Sequence, residues 1–249
     1  QAGDVASKAQ EAVSSKAEQV KEQAGEMRSQ AGEKIVAGAD AGKERAASGL
    51  SVAAERMRER ALREGTTPGT ILAALRGIDA GVPLLAMTYY NIAFHMGDAR
   101  FAGELVDAGF SGVILPDVPM EEQGPWRAAA DPAGIETVLL AGPVTPDDRL
   151  ARICEQSRGY VYGVNLMGVT GERADIGARA AELAGRLKAH TDKPVIMGFG
   201  ISGPEQAVEM AACSDGVIVG TAIVRRVLDG ASVEEIHDFV ASLRRALDA

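Results

Sequence analysis

The stretch PVIMGFGISGPEQAVEMAACSDGVIVGTAIV, residues 194–224, carries the pattern on which the fold turns. PVIMG (194–198) is a short apolar run of strand length. Pro204–Ala212 has helical texture, with proline at the start, where it satisfies a helix's fixed φ. GVIVG (216–220) is a second apolar run, and the residues after it open another helix. Strand, helix, strand, helix with short connections is the grammar of a parallel sheet.

Working backwards from there, the same alternation repeats. PLLAMTY (83–89), GVILPD (112–117), ETVLLA (136–141) and GYVYGV (159–164) read as strands. Helices are predicted over Asp98–Ala108, around Glu121–Ala130, from Pro146 to Cys154 and over Ala178–His190. Val233–Leu247 closes the chain as a helix. Six strand–helix units need about 180 residues at ~30 residues each, and the stretch beyond residue 65 supplies 184. The expected fold is α/β, a TIM (β/α)8-type barrel that is incomplete, with strands 3–8 recognisable.

The first part of the chain has another texture. All ten prolines and every aromatic residue lie after residue 67. Val13, Val20 and Met27 recur every seven residues, with Ala17, Ala24 and Ala31 four places on. That spacing predicts a helix with a narrow apolar stripe, weakened by Gly25 and Gly32 at ~1 kcal/mol each against alanine. It is either a solvated helical extension or a partner-binding coiled coil. Gly38–Gly49 has the composition of a linker, and residues 52–64 resume helical texture up to a stop at Gly65. The expected division is an extension with linker over 1–51 and a barrel domain over 52–249.

A net charge of −9 argues against nucleic acid as a partner, because such affinity rests on Lys and Arg neutralising phosphates. No run approaches the ~20 apolar residues of a membrane helix. The sequence shows no short apolar leader, so the expectation is a cytoplasmic protein. Two cysteines, Cys154 and Cys213, with no CxxC, predict neither a disulfide framework nor a structural zinc. His95, His190 and His237 have no motif around them and read as surface residues. Trp126 reads as packing, Glu121 and Glu122 as first-turn acids, and Asp117 as a structural or interface acid.

In parallel barrels the ligand site lies at the C-terminal ends of the strands. Gly200 and Gly220 follow strands there and let backbone approach a ligand closely. Gly171 offers a further N–H and Thr221 a hydroxyl. Helix starts beside them aim N–H groups at the same place, which is the chemistry of a phosphate site.

Five segments in this order, MTYYN (87–91), PDVP (116–119), GVTG (168–171), GFGIS (198–202) and VGTAIV (219–224), resemble the tryptophan synthase α chain. RALREGTTP (60–68) is similar to that family's second helix and the turn after it. The resemblance covers about Val52–Ala249. It implies a lyase of tryptophan biosynthesis that cleaves indole-3-glycerol phosphate to indole and glyceraldehyde 3-phosphate. It also implies no cofactor in this chain, because pyridoxal phosphate belongs to a β-chain partner. Gly171, Gly200, Gly220 and Thr221 would hold the phosphate. Met87, Tyr89, Ile114, Tyr162, Thr170 and Phe199 would line the indole pocket, and Asn165–Gly177 would be a lid. Asn91 and Pro119 fall where the family touches its β chain.

The sequence departs from the family in one place. The family carries a catalytic Glu at the end of strand 2 and an Asp in the loop after it. The corresponding residues 36–52 read VAGADAGKERAASGLSV, with Ala39 and Leu50 near those positions. Asp40 and Glu44 are the nearby acids, and nothing around them makes a strand end. Strand 1, helix 1 and strand 2 have no counterpart in this reading. A non-catalytic protein that binds a phosphate or indole ligand, or acts as a scaffold, is therefore the alternative expectation.

Overall fold

A computed structural model describes residues 67–79, 81–164, 173–198 and 200–249, with 173–176 in backbone only. Of these, residues 67–78 and those from 83 onward belong to one compact unit. Residues 79, 81 and 82 belong to another, in which the Gly81 N–H closes a turn on Asp79 Oδ1 at 2.9 Å.

Six strands make one parallel sheet in sequential order: β1 (Leu84–Met87), β2 (Phe110–Ile114), β3 (Glu136–Ala141), β4 (Val161–Val164), β5 (Val195–Gly198) and β6 (Gly216–Val217). All five pairings are parallel. Among the described residues β1 and β6 each have one neighbour, so this is an incomplete (β/α)8-type sheet. The helices are α1 (Pro68–Leu75), α2 (Tyr90–Met96), α3 (Asp98–Asp107), α4 (Gly124–Ala133), α5 (Asp147–Gln156), α6 (Arg173–Lys188), α7 (Pro204–Ala211), α8 (Thr221–Leu228) and α9 (Val233–Leu247).

Side chains alternate across each strand, so each strand serves two layers. Val113 and Leu115 pack with Phe101, Leu105 and Trp126 of the flanking helices. Leu139, Val161, Val195 and Met197 pack with Leu150, Ile153, Leu183 and Leu187. The opposite face holds a smaller cluster, Ile114, Val138 and Tyr162, joined by the half-buried Leu85, Leu140, Tyr160, Val164 and Ile218. Each buried Leu, Ile or Val is worth ~1.5–3 kcal/mol, so the two helix-facing layers dominate stability.

Several departures from the sequence reading have local causes. GVIVG pairs only over Gly216–Val217, although the Ile218 N–H still reaches the Met197 carbonyl at 2.8 Å. The second strand starts at Phe110, which pairs with Leu84, and stops before the Pro116–Asp117 turn. The segment after Gly65, read as a turn, contains α1, because Thr67 and Thr70 form a capping box with Pro68 at the first position. The Tyr90–Met96 helix was not foreseen. The predicted 121–130 helix is a 3-10 turn (Met120–Glu122) followed by α4.

Two polar devices hold the β3–β5 region, one buried and one half-buried. Ser157 Oγ accepts the Leu139 N–H at 2.9 Å and donates to the Tyr160 carbonyl at 2.5 Å. Lys193, just before β5, donates from Nζ to the carbonyls of Cys154 (2.7 Å), Glu155 (3.0 Å) and Ser157 (2.7 Å) at the end of α5. Ser157 is fully buried. Its replacement in Ser157→Ala leaves a strand N–H and a carbonyl unpaired, with an expected cost of ~1–3 kcal/mol. Urea unfolding should show this as a lower midpoint at unchanged slope.

Candidate functional site

The C-terminal ends of all six strands lie on one rim, because the strands are parallel. Ile114 ends β2 and is 5% exposed, and Tyr162 in β4 is 8% exposed. Register joins them: Ile114 pairs with Val138, and Leu140 with Tyr162. Together they make the apolar floor of the rim. Burial raises the Tyr162 phenol above its ordinary pKa, and burial followed by the neighbouring Tyr162 raises that of Tyr160. Both rings are therefore neutral near pH 7. They offer a polar tip and an apolar body and do not serve as bases.

Gly198 ends β5 beside this floor. A Cβ there would lie 2.5 Å from Tyr162 Oη and 2.6 Å from Cε2. The ring lies against backbone that only glycine permits. Gly198→Ala must displace Tyr162, and overpacking of this kind costs ~1–3 kcal/mol. Thermal unfolding of the variant checks this, with a lowered midpoint expected and an unchanged one refuting the close approach.

Gly200 has φ +71°, a backbone conformation that favours glycine, and it is exposed. Gly220 is the N-cap residue of α8, and Thr221 is its first residue, both exposed. This helix has no side-chain cap and no acid in its first turn, while Arg225 and Arg226 stand in its last turn. Its own first turn thus sets no carboxylate against the positive end of the helix. The start of α7 differs, because Gln206 Oε1 already takes the Ser202 N–H and hydroxyl, each at 2.7 Å.

Other expected site residues fall elsewhere. Met87, at the end of β1, is 56% exposed, and Tyr89 is 66% exposed at the N-cap of α2. Neither belongs to the Ile114–Tyr162 cluster. Thr170, Gly171 and Phe199 lie outside the described residues, as do Asp40, Glu44 and the 165–172 part of the expected lid. Asp117 is structural: its carboxylate oxygens accept the Tyr90 N–H at 3.0 and 3.1 Å, which anchors the start of α2. Trp126 is packing, with its Nε1–H donating to Thr137 Oγ1. All three histidines are exposed.

The sequence reading missed Val138, Leu140, Val164 and Ile218 as floor residues. The signal was available in the two-residue alternation of TVLLA and YVYGV once the strand register is known.

Fold and rim together define an incomplete (β/α)8-type sheet, with an apolar floor and glycine-bearing loops after its last two strands. A family model described as the tryptophan synthase alpha chain matches residues 53–246, and the chain belongs to that family. A tryptophan synthase alpha chain of Thermobifida fusca is 44% identical over 199 residues, covering 77% of this chain and 74% of that one. One from Streptomyces coelicolor is 42% identical over 193 residues, covering 75% and 71%. Among solved structures, a Mycobacterium tuberculosis tryptophan synthase superposes with TM-score 0.67 at 36% identity, covering 77% of this chain and 73% of that chain. The alpha chain of this family does not itself hold pyridoxal phosphate, which belongs to the beta chain. Among the described residues no helix is long and apolar enough to cross a membrane.

Proposed function

We propose that this chain binds indole-3-glycerol phosphate in the manner of its family, whose reaction is retro-aldol cleavage to indole and glyceraldehyde 3-phosphate in tryptophan biosynthesis. The observation that supports it most is the uncapped start of α8 at Gly220–Thr221, on the same rim as the Ile114–Tyr162 floor. A phosphate at such a helix start meets free N–H groups and a favourable dipole. A flat apolar ring suits the floor. Gly200, Gly220, Thr221 and Gly171 are assigned to the phosphate. Ile114, Tyr162, Thr170 and Phe199 are assigned to the indole. Met87 and Tyr89 are assigned to the pocket's open side, where their exposure leaves them free to close on a ligand.

Further parts of the reading are proposals of the same standing. Asn91 and Pro119 face a tryptophan synthase β chain, the setting is cytoplasmic, and 1–51 is an extension to a 52–249 barrel domain. The family's Glu and Asp find no match in residues 36–52, which favours a second reading: a binding or scaffold protein that keeps the ligand loops without turnover.

Calorimetric titration of the chain with indole-3-glycerol phosphate tests the shared part of both readings. Saturable binding that weakens in Thr221→Ala supports it. Absence of binding, or binding indifferent to inorganic phosphate as competitor, refutes the phosphate site.

A further inference from the structure

We draw no further inference here: the strongest candidate, the exposed apolar face of α8 formed by Val224, Val227 and Leu228, carries nothing, because nothing in the structure shows what covers it.

Discussion

Incubated with indole-3-glycerol phosphate, the chain is expected to release indole at least about 10⁴-fold more slowly than a relative that carries the family's acid pair. Cleavage needs a proton delivered to the indole ring and one removed from the glycerol hydroxyl. A positioned acid or base contributes ~10²–10⁴-fold, so losing two leaves a deficit of ~10⁴ or more. Neither described tyrosine of the floor replaces them, since burial holds both phenols neutral. Chromatographic measurement of released indole, on protein already shown by calorimetry to bind the substrate, separates lost chemistry from lost binding. Rapid release would overturn the reading of residues 36–52. Asp40→Asn and Glu44→Gln would then be the substitutions that locate the acids.

Trp126→Ala is expected to cost ~3–5 kcal/mol, a large share of the ~5–15 kcal/mol that holds a typical domain folded. The ring is 0% exposed, packed beside Phe101 at a centroid distance of 5.8 Å and among Leu105, Leu115 and Ile135. Its Nε1–H donates at 3.0 Å to Thr137 Oγ1 on β3, so one side chain joins α4 to the sheet. Truncation opens a cavity and orphans a hydroxyl that is itself 1% exposed. At ~2–4 °C per kcal/mol for a domain of this size, calorimetry should show a midpoint lower by roughly 10 °C. Trp126→Phe keeps most of the volume and drops only the hydrogen bond, so it should cost ~1–2 kcal/mol. Equal losses in the two variants would mean that cavity formation is not the main effect.

The alternation of strands and helices was legible because its signals are local. ETVLLA lies between glycines at 134 and 142 and forms a strand over the expected residues. The capping box of Ser232 and Glu235 likewise marks the last helix where its sequence begins. The helix over Tyr90–Met96 was not legible. Its N-cap Tyr89 makes no side-chain bond, and its first free N–H is taken by Asp117, 27 residues away. No window of sequence contains both partners. Gly200 could be read as a turn glycine from its residue type, and it has φ +71°, whereas Gly220 sits at φ −108° in open space and makes no such demand. The floor could be read only in part. Tyr162 and Ile114 lie on it, but their companions Val138 and Leu140 come from register, which is a property of pairs of strands. Met87, at the end of β1, is 56% exposed.

The Lys193 ammonium has a consequence for how the protein opens. It gathers the last carbonyls of α5 from a position two residues ahead of β5. Fraying of that helix end and release of that strand start therefore break the same three bonds. Two strand–helix repeats, separated by the one that contains β4 and α6, are joined into one cooperative unit of local unfolding. Amide protons at the end of α5 and the start of β5 should exchange with solvent at a common rate, and acetylation of Lys193, which removes the charge and two of its donors, should uncouple them.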